Sequence, residues 1–133
     1  MNNAPTRILV VEDYPSMGTM ISRILSEAGY SVSVALNGSD AVRLCEESDF
    51  DVAVIDIRLP DIDGWDLFSA LRRRRSVRAI ACTTCAKPED ILRSHTSGFD
   101  AHMTKPIQLD DLLRVVAAVA ARGPADSLSV ASN

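Results

Sequence analysis

No stretch of the 133-residue chain approaches the roughly 20 consecutive apolar residues that a bilayer-spanning helix requires, so the sequence offers no transmembrane candidate. Basic residues are in deficit, 14 Lys and Arg against 18 Asp and Glu, and the net charge of −4 argues against a nucleic-acid binder. Cysteine is scarce and odd in number, three in all, and residues 1–6 do not form a signal peptide. Free thiols in a reducing, cytoplasmic compartment are therefore expected. At 47% hydrophobic and 24% charged, the chain has material for one core and is too short for two. The expected organisation is a flexible lead over 1–6, one domain over 7–122 and a small, polar, disordered tail over 123–133 with no room for an output domain.

What is present is a pattern of apolar runs that end in acids. Val52-Ala53-Val54-Ile55 terminates in Asp56 and leaves through the proline- and glycine-punctuated stretch Ile57 to Gly64. Such a run reads as a buried parallel strand, and its last residue stands at the carboxyl end, where open α/β folds place their chemistry. A second run, Ile8 to Val11, leads into Glu12-Asp13. If the two strands are neighbours, three carboxylates share one crevice and cannot all stay ionised without a cation. Mg²⁺ suits the need, since it takes a few carboxylates and keeps waters for a phosphate.

Strand and helix patterns alternate along the rest of the chain. Pro15 opens a helix carrying Met17, Ile21, Ile24, Leu25 and Ala28, which Gly29 stops. Ser31 to Ala35 reads as a strand, and a helix through Ala41, Val42, Leu44 and Cys45 follows the Asn37-Gly38 turn. Gly64 opens a third helix that ends in the Arg72 to Arg75 run. Val77 to Thr83 is a strand, Pro88 to Ser97 a helix, Ala101 to Thr104 a strand and Gln108 to Arg122 a last helix. Five strands alternating with five helices imply an α/β, doubly wound parallel sheet with right-handed crossovers.

These motifs resemble the receiver domain of two-component response regulators over about Arg7 to Arg122. Leu9 to Asp13 is similar to that family's acidic pair and Asp56 to Gly64 to its phosphoacceptor segment; Thr83 and Lys105-Pro106 match the hydroxyl and the lysine at the ends of strands four and five. The resemblance implies a flavodoxin-like sheet in the order 2-1-3-4-5. It also implies that Asp56 accepts a phosphoryl group from the phosphohistidine of a sensor histidine kinase or a histidine phosphotransfer protein. Mg²⁺ would be ligated by Asp13, Asp56 and the backbone carbonyl of Arg58, with Glu12 acting through a bound water, while Thr83 and Lys105 hold the transferred oxygens. Thr83 and His102 would form the switch. The output surface would comprise helix four, strand five and helix five, with Ile91, His95, His102 and Ile107, and the kinase-side bundle would dock around Tyr14, Met17 and Met20. The expected protein is a stand-alone regulator, a phosphoacceptor rather than a turnover enzyme, monomeric or transiently dimeric.

Three departures from the family pattern carry expectations of their own. Glu12 stands where Asp is more frequent, and its extra methylene suits an outer-shell ligand. His102 replaces the usual switch aromatic, as in receivers joined to hybrid kinases, so a switch without an aromatic rotamer is expected. Thr84 replaces a usual Ala, and the phosphoryl lifetime is expected to be altered by Arg58, Thr84 and Cys85. Three alternatives stay open: a phosphorylation-independent interaction module, a receiver fragment of a hybrid kinase, and a phosphatase or phosphotransferase. Arg58 weighs against the last, because such enzymes carry a second acid two residues after the nucleophile.

Other motifs have plainer readings. Asp61-Ile62-Asp63-Gly64 resembles part of a calcium loop but lacks the closing glutamate. Cys82 and Cys85 have CxxC spacing but no second pair, and read as two unrelated thiols. The Arg72 to Arg75 run with Arg78 reads as a solvated helix end, which welcomes cations. His95 and His102 read as surface histidines. The helix-five residues Leu112, Val115, Val116 and Val119 could face the core or a partner.

Overall fold

The computed structural model describes residues 4–74, 76–84 and 87–122. Ten elements alternate: β1 (Arg7–Val11), α1 (Pro15–Glu27), β2 (Ser31–Ala35), α2 (Gly38–Glu47), β3 (Val52–Asp56), α3 (Gly64–Arg74), β4 (Arg78–Thr83), α4 (Pro88–Thr96), β5 (Ala101–Thr104) and α5 (Leu109–Ala120). The strands form one parallel sheet in the order β2-β1-β3-β4-β5. This is the flavodoxin-like receiver architecture expected above. Element ends differ from expectation by a residue or two: Val77 is buried just ahead of β4, Ser97 caps α4, and Gln108 precedes α5 as its N-cap. Arg75, Cys85 and the expected lead and tail beyond 4 and 122 lie outside the described residues.

Period-two alternation splits the core between the two faces of the sheet. Leu9, Val11, Ala53, Ile55, Ala79 and Ala81 point to one side, where Leu67, Phe68 and Leu71 of α3 and Ala41 and Cys45 of α2 cover them. Ile8, Val10, Val52, Val54, Ile80 and Cys82 point to the other, under Ile21 and Leu25 of α1 and Leu112, Val116 and Val119 of α5. Three of the four α5 apolar residues left undecided by sequence are thus core, and only Val115 is partly exposed. All five residues of β3 are buried, which is why the central strand reads as an unbroken apolar run. Among the described residues no helix is long and apolar enough to cross a membrane.

Register carries the acids to one edge. Val11 pairs with Ile55, Asp56 with Cys82 and Thr83 with Thr104, so the carboxyl ends of β1, β3, β4 and β5 finish together. Gly64 closes the loop after β3: its N–H donates to the Ile57 carbonyl at 2.8 Å, and a Cβ there would lie 2.8 Å from the Ile57 Cα and 2.9 Å from the Asp56 carbonyl oxygen. Only glycine fits this approach without moving the backbone beside Asp56.

Candidate functional site

Glu12 leaves the end of β1 and is 3% exposed; Asp56 ends β3 and is 6% exposed. Both reach the same cation. The Lys105 ammonium donates to Glu12 Oε1 at 2.8 Å and to Asp56 Oδ2 at 3.2 Å. The remaining oxygens are held by backbone: Arg58 N–H donates to Asp56 Oδ1 at 3.0 Å, and Tyr14 N–H to Glu12 Oε2 at 3.2 Å. Asp13 is solvent-exposed, yet it offers an oxygen that lies with one from Glu12 and one from Asp56 inside a 4.8 Å group. Thr83 is buried at the end of β4, and its carbonyl accepts the Lys105 N–H at 2.8 Å, which ties β5's exit to the site. The Lys105-Pro106 peptide is cis.

One ammonium pairs with two of the three carboxylates gathered here, and the electrostatics reflect the surplus of negative charge. Burial, with Asp56 adding to it, pushes the Glu12 carboxyl above its ordinary value against the pull of Lys105. Burial works to lower the Lys105 ammonium, but Glu12 and Asp56 outweigh it and hold the amine above its ordinary value. An all-oxygen donor set with surplus negative charge fits a hard divalent cation such as Mg²⁺.

The structure brings Glu12, Asp13, Asp56, Thr83 and Lys105 to one end of the sheet, as expected. Thr84 follows Thr83 and is exposed. The calcium reading of Asp61 and Asp63 has a concrete replacement. Asp61 accepts the Gly38 and Ser39 N–H groups at 2.9 and 3.0 Å, capping α2, and the Gly38 bond first of all holds its carboxyl below the ordinary value. Asp63 accepts the Asp66 N–H at 2.9 Å in the first turn of α3. Burial pushes the Cys82 thiol up to about 12, so this cysteine is an inert core residue.

Two expectations about the output surface need correction. Ile91, His95 and His102 line one groove between α4, β5 and α5, but Ile107 does not; it packs partly buried against the core on the α1 and α5 side. His102 is also more than a surface histidine. The Trp65 indole N–H donates to Ser94 Oγ at 3.0 Å, and Ser94 Oγ stands 3.1 Å from His102 Nδ1. Indole nitrogen can only donate, so the Ser94 hydroxyl accepts from it; between Ser94 Oγ and Nδ1 of a neutral imidazole the donor depends on the tautomer, and Nε2 is buried without a hydrogen-bond partner among the described residues. Burial holds the imidazole below its ordinary value, in keeping with this neutral form. Around Tyr14, Met17 and Met20, Tyr14 is 66% and Met20 39% exposed, while Met17 packs on the core.

The Trp65, Ser94 and His102 chain was invisible in sequence because its members sit on three separate elements. Ser94 is the single buried residue of α4, and that helix otherwise touches the fold lightly. Ser94→Ala leaves two part-buried polar groups without their partner, and a stability loss of about 1–2 kcal/mol is expected. Urea unfolding followed by emission of the single tryptophan reads it; unchanged stability and spectrum would mean these bonds do not hold α4.

Comparison with known proteins places this geometry in context. The family described as response regulator receiver domain matches residues 8–117. The transcriptional regulatory protein TcrA of Mycobacterium tuberculosis is 37% identical over 119 residues, covering 89% of this chain and 47% of that protein. The transcriptional regulatory protein CusR of Escherichia coli is 32% identical over 120 residues, covering 90% and 53%. The chain therefore spans about half the length of these curated relatives. Among solved structures, a CheY-like receiver domain protein from Methanospirillum hungatei superposes with a TM-score of 0.84 at 30% identity, covering 88% of this chain and 94% of the other. The Vibrio cholerae chemotaxis protein CheY4 gives 0.83 at 28% identity, covering 87% and 99%.

Proposed function

The chain belongs to the response regulator receiver domain family, and on that premise we propose that it accepts a phosphoryl group on Asp56 from a sensor histidine kinase or a histidine phosphotransfer protein and signals by binding a protein target. One observation carries the reading: a single lysine bridges the two buried acids Glu12 and Asp56 at the carboxyl edge of the sheet, with Asp13 alongside. A purely structural ion pair would not gather a third carboxylate, Asp13, beside the two that share the lysine.

Each residue has a role. An Asp56 carboxylate oxygen attacks the phosphorus of the donor phosphoimidazole; the O–P bond forms, the P–N bond breaks, and the electron pair stays on the imidazole nitrogen. Arg58 N–H orients Asp56 through Oδ1. Lys105 exchanges Asp56 Oδ2 for a phosphoryl oxygen, and the Thr83 hydroxyl takes another. Asp13, Asp56 and the Arg58 carbonyl, with Glu12 through a water, would hold Mg²⁺, which would supply neutralising charge at the phosphoryl oxygens. Acyl phosphates return to water, so the mark expires without a turnover cycle. Arg58 and Thr84 tune its lifetime: Thr84→Ala, which opens the approach of water, is expected to shorten the phosphoryl half-life several-fold in a timed dephosphorylation assay, and an unchanged half-life would remove Thr84 from the account.

Output uses the α4, β5 and α5 groove, where Ile91 is exposed and His102 is joined through Ser94 to Trp65. The chain acts as a monomer or a transient dimer. The test of the reading is intact mass after exposure to a small phosphodonor: one labile phosphoryl adduct that requires Mg²⁺ is expected, and no adduct with donor, metal or a phosphorylated histidine protein would overturn it.

A further inference from the structure

A second charged site lies at the opposite end of the sheet. Where β1, β4 and β5 begin, Arg7, Arg72, Arg78 and Arg122 line a cleft of about 690 Å³ together with Asp51 and Asp100. Four guanidiniums against two carboxylates leave a formal local charge of +2, on a chain whose net charge is −4. A strand of five residues separates this cleft from Asp56 by about 16 Å. The phosphorylation chemistry uses none of these residues.

Both carboxylates are already engaged by backbone. Asp51 Oδ2 accepts the Arg7 N–H at 2.8 Å, and Asp100 accepts the Ala79 N–H at 2.9 Å as well as Arg122 Nη1 at 3.2 Å. The guanidiniums of Arg7 and Arg72 have no carboxylate partner among the described residues. Each lies over an aromatic ring instead, Arg7 at 5.5 Å from the Phe50 centroid and Arg72 at 5.3 Å from that of Phe68. A cation–π contact takes none of the guanidinium's N–H donors, which stay able to capture an oxyanion in bidentate fashion. Gly98 belongs to this design. Its φ of +95° itself calls for glycine, and the Arg72 guanidinium lies against its bare backbone, with Nη1 2.6 Å from where a Cβ would stand.

We propose that this cleft binds a small phosphate-bearing polyanion, of the size and charge of a pyrophosphate group or the phosphate tail of a nucleotide. Two guanidiniums lining one cleft suit two adjacent phosphates, and Arg78 and Arg122 complete the cationic wall. An extended nucleic acid fits less well, because beyond the cleft it would meet the acidic remainder of the chain. The helix-end reading of the Arg72 run explains why cations gather there. It does not explain why Arg7, from another element, joins them over a ring of its own.

The test is titration of the intact protein with inorganic pyrophosphate, without Mg²⁺, following backbone amide shifts by NMR at low and physiological salt. Saturable shifts confined to the surroundings of Arg7, Arg72, Arg78 and Arg122 are expected. Arg7→Gln and Arg72→Gln should each weaken binding about tenfold, the range for a lost charge-assisted hydrogen bond, while Arg23→Gln, on α1, should not. The same spectra show whether each variant is folded. Shifts centred on Lys105, absence of saturation, or equal weakening by Arg23→Gln would overturn the proposal. Tighter binding of a glutamate-rich peptide than of pyrophosphate would overturn the choice of ligand.

Discussion

Asp56→Asn should abolish the phosphoryl adduct completely and, in the absence of Mg²⁺, make the protein more stable by about 1 kcal/mol. The first half follows from the nucleophile: an amide oxygen cannot form the acyl phosphate, and Glu12, the other buried acid, is held by Lys105 and Tyr14. The second half follows from the charges. At an effective dielectric of about 20, two carboxylate oxygens within 4.8 Å repel by roughly 3.5 kcal/mol, and Asp56 faces both Glu12 and Asp13 at that range. Its attraction to Lys105 at 3.2 Å returns roughly 5 kcal/mol, and solvent at exposed Asp13 screens part of the repulsion. Asp56→Asn also removes the desolvation cost of burying that charge, which favours the variant. Asparagine keeps an oxygen for Arg58 N–H, so packing is preserved. Urea melts of both proteins with and without Mg²⁺ decide the matter: the difference should close or reverse when the metal is present. An adduct on the variant would sink the assignment of Asp56, and a less stable variant would sink the account of the charges.

This trade between stability and function is the part of the molecule most legible from the chain. Apolar runs that stop at Asp56 and Glu12 announce both the central strands and the acids, because a buried parallel strand has no polar residue to spare until it leaves the core. Lys105 was legible only by resemblance; nothing in its own neighbourhood predicts that an amine 93 residues from Glu12 closes to 2.8 Å. That contact is set by register, which brings β1 and β5 to a common edge through two intervening strands. The capping role of Asp61 was hidden for a related reason. A carboxylate in a loop looks alike whether it faces an ion or a helix N-terminus 22 or 23 residues away. Ile107 was misjudged because an apolar residue after a proline reads equally well as exposed or inward. The Arg7 and Arg72 cleft escaped because its arginines come from separate elements and meet only where the strands begin.

Lys105→Ala should cost the metal-free protein about 2–4 kcal/mol at pH 7, since removing one member of a largely buried ion-pair group strands the others; Lys105 is 13% exposed, and Glu12 and Asp56 are 4% and 8% exposed at their side chains. The pH dependence gives the deficit a signature. Glu12 already has its carboxyl raised in the folded protein, and loss of the lysine raises it further. A carboxyl raised by folding binds its proton more readily in the native state, so stability of the variant increases as pH falls through the interval between that raised value and the ordinary 4.5. The deficit relative to the parent should therefore shrink between pH 7 and pH 5. The parent's lysine behaves in the opposite sense: its amine is raised above 10.5, so its contribution is complete below that value and fades only as pH climbs through the folded one. Mg²⁺ should stabilise the variant more than the parent, because the cation no longer competes with an ammonium for Glu12 and Asp56. Chemical denaturation at the two pH values, each with and without Mg²⁺, reads all of this. A deficit that ignored both proton and metal would mean that Lys105 acts by packing alone, and that the three carboxylates do not form one electrostatic unit.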